Sequence, residues 1–180
     1  MPFNKQTVYD AIRLGALQQY ADTLSKDPSR KVGCAVYRDD TNLCVAKATN
    51  YLPSYLNVTD DMCKVIKSSL FTHAERACFD QLSNVKTLPK NCPVTVYLTT
   101  LPCVTCATIF AIHTLPIEIS RIVCIDNCST TFKTRHNTDK ALDIIREKYV
   151  VEVYTMQEDD YDIHPNRIIK GLQKQQDSTC

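Results

Sequence analysis

The sequence contains only three glycines in 180 residues and no excess of charge of either sign. With so few glycines, few turns can depend on backbone conformations that only glycine adopts easily. Lysine and arginine number 21 against 20 acidic residues, which gives a formal net charge of +1. Proteins that grip long nucleic acids usually have a strongly basic face. The balance therefore disfavours a nucleic-acid partner and is compatible with a small anionic substrate.

Long apolar runs are also absent. No stretch approaches the roughly 18 apolar residues of a membrane span, and residues 1–6 lack the apolar core of a signal peptide. We therefore expect a cytoplasmic protein without a membrane partner. In that compartment the ten cysteines are expected to be reduced thiols and not a disulfide framework. Four lie among apolar residues and are predicted to be small core residues: Cys34, Cys44, Cys78 and Cys124.

The length predicts a single domain over residues 1–180, large enough to bury a real core. Helices and strands are predicted to alternate after an initial hairpin. The predicted strands span 32–37, 43–48, 94–99, 121–125 and 150–154. The predicted helices span 7–24, 60–67, 73–82, 102–112, 138–148 and 163–176. Such an order predicts an α/β fold with a five-stranded mixed sheet, mostly parallel after the hairpin and covered by helices on both faces.

Three details of these helices are predicted from local patterns. The apolar face of the first helix is expected to carry Val8, Ile12, Ala16, Leu17, Tyr20 and Leu24. Pro102 suits the first turn of its helix, where the missing N–H costs no hydrogen bond. Thr138 is predicted to be the N-cap of the helix that follows it.

Two short segments carry the chemistry: His73-Ala74-Glu75 and Pro102-Cys103-Val104-Thr105-Cys106. One imidazole and two thiolates supply three protein ligands for zinc, which leaves the fourth position open for water. Cys103 and Cys106, three residues apart on a helical turn, point to the same side. The positive end of that helix favours thiolates. The pattern H-x-E…P-C-x-x-C is typical of zinc deaminases that act on nucleobases.

Glu75 is the predicted catalytic residue. Zinc lowers the pKa of a bound water toward about 7, and a carboxylate two residues from His73 could move that water's protons without binding the metal. A C-x-x-C motif alone also occurs in structural zinc sites and redox pairs. A closed structural site needs a fourth ligand, however, and neither segment contains another cysteine or histidine.

A further segment, Ser25-Lys26-Asp27-Pro28-Ser29-Arg30-Lys31-Val32-Gly33-Cys34, extends the similarity. With it, the sequence resembles the deoxycytidylate (dCMP) deaminase family of the cytidine deaminase superfamily over residues 6–155. Asn50 and Pro53 match the family's G-Y-N-G-x-P turn, whose glycines are replaced here, and Ala77 stands where the family has a second asparagine. The resemblance implies the three-layer α-β-α cytidine-deaminase-like fold, a Zn²⁺ cofactor and hydrolysis of dCMP to dUMP and ammonia. It also implies a homo-oligomer, a hexamer or at least a dimer, regulated by dCTP and dTTP.

Substrate contacts are predicted on three loops. Asn50 suits a sugar hydroxyl, or it forms a turn. One or two of the polar residues before the first strand could hold a 5′-phosphate. Asp126 and Asn127 end the fourth strand, where ligand crevices form, or make a plain turn. The predicted substrate-binding residues are Ser25, Lys26, Arg30, Asn50, Ala74 and Asp126.

Several alternatives remain open at this stage. The substrate could be another one of the superfamily, such as a tRNA adenosine, a free base or a modified nucleotide. The chain could also be a non-catalytic scaffold that keeps zinc for stability. A second, structural zinc could be built from Cys63, Cys128, His136 and His164, although their spacing supports no specific set. Self-association is expected through apolar residues of the second metal-site helix, namely Ile109, Phe110 and Ile112.

Overall fold

The computed structural model describes residues 5–27, 30–56, 70–85 and 88–155. The helices are α1 (Lys5–Leu24), α2 (Ala74–Ser83), α3 (Val104–Ile112), α4 (Thr130–His136) and α5 (Thr138–Arg146). The strands are β1 (Gly33–Arg38), β2 (Cys44–Thr49), β3 (Cys92–Leu98), β4 (Ile117–Asp126) and β5 (Val150–Thr155). The predicted helices at 60–67 and 163–176 fall outside the described residues.

The strands form one mixed sheet in the order β2-β1-β3-β4-β5. Strand β1 runs antiparallel to both β2 and β3, whereas β3, β4 and β5 are mutually parallel. The predicted α/β architecture is therefore confirmed. Because β1 is antiparallel to β3, its first residue lies at the same edge as the end of β3, where Thr99 N donates to the carbonyl of Gly33 at 3.1 Å. That edge carries the candidate site.

Apolar side chains are buried on both faces of the sheet. On one face, Val96 and Ile122 pack with Phe79 of α2, Phe110 of α3 and Ile145 of α5, among others. On the opposite face, buried strand residues pack against α1: Ala11, Leu14, Leu17, Ala35, Tyr97, Val123 and Ile125. Strand segments covered on both sides form continuous apolar runs, and such runs at 96–98 and 122–125 make β3 and β4 recognisable in the sequence.

The buried face of α1 differs from the predicted one. Ile12 and Leu24 are 48% and 52% exposed, whereas Asp10 is fully buried. Arg121 donates two hydrogen bonds of 2.8 Å to the Asp10 carboxylate, and the Tyr97 hydroxyl donates a third at 2.6 Å. Compared with the prediction, α1 is therefore turned so that Asp10 faces the sheet and pairs with Arg121. The pattern of apolar residues cannot reveal a buried ion pair.

Local details near the helix ends also differ from the predictions. Helix α4 was not predicted. Asn137, with a left-handed φ of 51°, is the N-cap of α5, so Thr138 is its first helical residue and not the cap. Cys103 is the N-cap of α3, which places Pro102 just before the helix.

Cysteines in the described ranges are free thiols. Cys34, Cys78 and Cys124 are buried as predicted. Cys44 is exposed, because β2 is the edge strand and its first residue faces solvent. Phe110, predicted to contribute to an apolar surface, is fully buried in the core. None of the helices in the described part of the chain combines the length and apolarity needed to cross a membrane.

Candidate active site

The two metal-ligand segments meet where two helices begin. His73 is the N-cap of α2, and Cys103 is the N-cap of α3, reached by the short connection that follows β3. Neither side chain caps its own helix, so the imidazole and the thiol are available to a ligand. Cys106 lies one turn into α3 and is 1% exposed.

The three donor atoms converge on one point. His73 Nδ1 lies 3.3 Å from Cys106 Sγ and 3.6 Å from Cys103 Sγ, and all three donor atoms lie within 4.8 Å of one another. A tetrahedral zinc with ordinary bond lengths separates a nitrogen from a sulfur ligand by about 3.5 Å. The residues present therefore fit a zinc ion, with His73, Cys103 and Cys106 as its protein ligands.

Zinc requires deprotonated ligands, and among the three the electrostatics of the cluster favour that form at Cys103. A hydrogen bond from Cys106, helped by one from His73, lowers the pKa of the Cys103 thiol to about 3 against the opposing effect of burial. The hydrogen bond to Cys103 in turn raises the pKa of His73. The Cys106 thiol has a raised pKa because it shares its proton with Cys103 and is buried. Of the three ligands, Cys103 is therefore the one most predisposed to bind a cation as a thiolate.

Glu75 lies in the first turn of α2 beside these ligands and is 3% exposed. Burial raises the pKa of its carboxyl group, and the positive charge of His73 partly opposes that effect. A carboxyl whose pKa is raised toward neutrality is suited to accepting and returning a proton.

A cavity of about 510 Å³ opens over the cluster, within the range of small-molecule sites. His73, Ala74 and Glu75 form its floor together with Cys103. Asp27 and Arg30 of the segment before β1 and Asn50 after β2 also line it. Four further lining residues belong to α4 or precede it: Ser129, Phe132, Arg135 and His136.

The predicted substrate contacts are not all at this cavity. Arg30, Asn50 and Ala74 line it, whereas Ser25, Lys26 and Asp126 are absent from its lining. Ser25 is buried beneath Asn50, to which it donates a hydrogen bond of 2.8 Å. Asp126 forms an ion pair of 2.5 Å with Lys133. The direct binding roles of these residues stay predictions.

Asn50 is the centre of a buried hydrogen-bond network. Its Nδ2 donates to Asp27 Oδ2 at 2.9 Å and to the Arg30 carbonyl at 2.8 Å. Its Oδ1 accepts from Ser25 Oγ and from the backbone N–H of Val32 at 2.9 Å. Both amide protons are therefore engaged within the protein, and Asn50 holds the segment before β1 against the end of β2.

The α4 wall was missed by the sequence predictions. Helix α4 has no buried residue, so no apolar period marked it. The available signals were polar ones: Ser129 as N-cap, whose hydroxyl accepts from Phe132 N at 3.3 Å, and basic residues in the last turn, both typical of helix ends.

The alternative second zinc site has no support among the described residues. Cys63 and His164 lie outside the described ranges. Cys128 contacts Arg30 and Thr100, and His136 stacks on Phe132. Within the part of the chain that the structure describes, the group of three ligands that could hold a metal ion is His73, Cys103 and Cys106.

No protein-family model and no curated protein sequence matches the chain, but many solved structures do. The dCMP deaminase of cyanophage S-TIM5 in complex with dCMP and dUMP is similar with a TM-score of 0.58 and 15% identity, over 86% of this chain and 99% of that one. Its apo form gives a TM-score of 0.56 at 16% identity, over 86% of this chain and 100% of that one. Acinetobacter baumannii RibD matches with a TM-score of 0.51 and 17% identity, over 94% of this chain and 38% of RibD. The chain therefore has the fold of these proteins, the cytidine-deaminase-like α/β fold that the resemblance implied.

Proposed function

We propose that the protein is a zinc-dependent hydrolase that removes the exocyclic amino group of a nucleobase, with dCMP as substrate and dUMP and ammonia as products. The observation that carries the proposal is the convergence of His73, Cys103 and Cys106 beside the buried Glu75 at the floor of one cavity. This arrangement would hold a zinc ion through three protein ligands and places a proton carrier, Glu75, beside it.

The chemistry requires proton transfers that this chain can supply. A bound zinc would provide Lewis-acid activation of water, lowering its pKa toward about 7. Glu75 would accept the proton that this water releases and pass it to the ring nitrogen next to the reacting carbon. It would then return a second proton to the leaving amine. The C–N bond to the amino group is replaced by C=O, one water is consumed and one ammonia is released. Burial raises the pKa of Glu75, which supports its proposed role as a proton carrier.

The choice of dCMP is supported by two observations. The cyanophage protein that shares the fold over 99% of its length is a dCMP deaminase that binds dCMP and dUMP. The near-neutral charge of this chain favours a small anionic substrate over a tRNA. RibD shares the fold over 94% of this chain, so a deaminase of another nucleobase or nucleotide is the second candidate. A zinc-stabilised scaffold would not need a buried carboxylate facing the cavity.

The resemblance also leads us to propose a homo-oligomer, a hexamer or a dimer, with regulation by dCTP and dTTP, in the cytoplasm. Ile112 of α3 is 70% exposed and is a candidate interface residue, whereas Phe110 is not. Light scattering at micromolar concentration is expected to give a mass of two or six chains. A monomer would contradict the proposed assembly.

The deciding experiment is an ammonia-release assay on zinc-loaded protein with dCMP, dCTP, deoxycytidine, cytidine, dAMP and guanine as separate substrates. We expect dCMP to be deaminated fastest. Turnover of adenine or guanine compounds without turnover of cytosine compounds would favour the second candidate. Absence of ammonia with every substrate of a wider nucleobase panel would contradict the proposal and leave the scaffold alternative.

A further inference from the structure

Helix α4 presents one face to the cavity. Phe132, Arg135 and His136 line the cavity and are three and four residues apart, the spacing of neighbours on one side of a helix. The helix contributes nothing to the apolar core, since none of its residues is buried. Three of its seven side chains line the cavity and none lies in the apolar core.

Phe132 holds two potential cations at this wall. The guanidinium carbon of Arg30 lies 3.7 Å from the centroid of the Phe132 ring, and the ring of His136 stacks on Phe132 with centroids 4.1 Å apart and planes at 27°. A guanidinium at this distance from an aromatic ring is attracted by the ring's negative face. Phe132 therefore links α4 to the segment before β1 through a cation–π contact, which also restrains the Arg30 side chain.

Arg30 is further restrained by hydrogen bonds from a single nitrogen. Its Nη2 donates to the hydroxyl of Thr100, to Asn127 Oδ1 at 3.1 Å and to Cys128 Sγ at 2.9 Å. None of these acceptors is a carboxylate, so the positive charge of Arg30 is oriented but not neutralised. The donors Nε and Nη1 make no hydrogen bond to a described residue and stay available to a ligand.

Arg135 is exposed at the rim of the same cavity. It makes no hydrogen bond or ion pair with any residue in the described ranges. The neighbouring cation on α4, Lys133, is already paired with Asp126. The acidic residues among those lining the cavity are Asp27 and Glu75, and Asp27 already accepts hydrogen bonds from Asn50 and from the backbone of Arg30. Among the described residues, neither Arg30 nor Arg135 forms an ion pair with a carboxylate.

We propose that Arg135 and Arg30, the latter positioned by Phe132, form a phosphate-binding subsite on the α4 wall that selects a phosphorylated nucleotide over its nucleoside. This inference rests on the proposed function and deepens it by naming the residues that read the phosphate. Arginine suits the task because its planar fork binds phosphate oxygens with two parallel, charge-assisted hydrogen bonds. Two other basic residues predicted near the phosphate do not line the cavity: Lys26 and Lys31, whose Nζ donates to the Asp22 carbonyl at 2.7 Å.

The test compares Arg135→Gln with a matched control, Arg146→Gln. Arg146 is also exposed but lies at the end of α5 and does not line the cavity. Zinc-loaded wild-type and variant proteins are titrated with dUMP and with deoxyuridine by calorimetry. We expect the wild type to bind dUMP more tightly than deoxyuridine. Arg135→Gln should weaken dUMP binding by about tenfold or more, the loss typical of one charge-assisted hydrogen bond, and leave deoxyuridine unchanged. Arg146→Gln should change neither.

A second variant tests the positioning role of Phe132. Phe132→Leu keeps an apolar side chain but removes the aromatic face under Arg30. We expect it to raise KM for dCMP without changing kcat or KM for deoxycytidine, and Phe132→Tyr to restore the wild-type KM. A merely structural role would lower activity on both substrates together.

Binding and turnover separate this inference from the proposed reaction. If Arg135→Gln leaves the ratio of dUMP to deoxyuridine affinity unchanged, or if Arg146→Gln lowers it equally, the phosphate subsite is overturned even where dCMP is deaminated. If wild-type protein shows no preference for dUMP, it is overturned as well. If dUMP binds through Arg135 but no ammonia is released from dCMP, the subsite is supported and the proposed reaction is not.

Discussion

His73 Nδ1 lies 3.3 Å from Cys106 Sγ, although 33 residues separate the two positions. The approach follows from the sheet, which sets the starts of α2 and α3 side by side at one edge. Because the three donor atoms are already gathered within 4.8 Å of one another, metal binding requires little rearrangement of the backbone.

We predict one zinc per chain, bound by His73, Cys103 and Cys106. Metal analysis of purified wild-type protein should give one equivalent, and Cys106→Ser should lose most of it because serine is a poor zinc ligand. Cys44→Ser, which changes an exposed cysteine on the edge strand, is the control and should keep the metal. A chelator should lower the melting temperature of the wild type, since loss of a ligand bound to the native state destabilises it. Full zinc content in Cys106→Ser would refute this ligand set.

We predict that Glu75→Gln retains zinc and fold but loses about two or more decades of turnover, the usual scale for a positioned proton carrier. The amide keeps the shape of the side chain and removes its ability to accept a proton. Glu118→Gln, on an exposed position of β4, serves as control and should be fully active. The checks are zinc content, circular dichroism and ammonia release. Near-wild-type turnover by zinc-loaded Glu75→Gln would show that another group moves the protons.

Sequence patterns predicted the sheet well, because residues 96–98 of β3 and 122–125 of β4 are buried and form continuous apolar runs. They also predicted the donor cluster, since a metal site requires particular residue types at fixed spacing. His73, Cys103 and Cys106 do lie together, although the sequence alone could not give their distances.

Patterns failed where polar groups decide the structure. The orientation of α1 is set by Asp10 and its pairing with Arg121, a contact across 111 positions that periodicity assigns to solvent. Helix α4 has no apolar side to detect. Asn50 was predicted to contact a sugar or to form a turn, and the sugar contact stays a prediction; the hydrogen bonds by which its amide holds the loop before β1 are tertiary contacts that the sequence could not give.

The buried pair between Asp10 and Arg121 gives a prediction about stability. Burial alone would raise the pKa of Asp10, but hydrogen bonds from Arg121 and Tyr97 outweigh it and lower that pKa below 3.8. Asp10→Asn should reduce the free energy of unfolding by about 3 kcal/mol, the lower end of the range for a broken buried ion pair, because Arg121 loses its buried carboxylate partner and keeps only the more exposed Glu152. Asp143→Asn, exposed on α5, should change it little. Urea unfolding at pH 7 measures both.

The pH dependence of this effect follows from the lowered pKa. The contribution of Asp10 is complete above its ordinary pKa of 3.8 and is lost as pH falls through the lower value of the folded state. The difference in unfolding free energy between wild type and Asp10→Asn should therefore be constant from pH 7 to pH 5 and narrow as the pH falls below 3.8. A difference that grows on acidification would contradict the sign of the shift.

A substitution at Asn50 tests whether this residue has a structural role or contacts the substrate. Asn50→Ala removes the acceptor of Ser25 Oγ and of Val32 N, and the donor to Asp27, inside a site where Asn50 is only 6% exposed. Leaving such groups without partners costs about 1–3 kcal/mol each, so the free energy of unfolding should drop by about 2 kcal/mol or more. Because Arg30 lies on the segment that Asn50 anchors, we expect Arg30 to move and KM for dCMP to rise as well.

The two effects can be compared directly by urea unfolding and by kinetics on dCMP. A sugar contact would raise KM for dCMP and for deoxycytidine alike and leave the unfolding midpoint unchanged. A loop that loses its anchor lowers the midpoint and affects the phosphorylated substrate more, because Arg30 is displaced from Phe132. We expect the second pattern, since both protons of the Asn50 amide are already donated to Asp27 and to the carbonyl of Arg30.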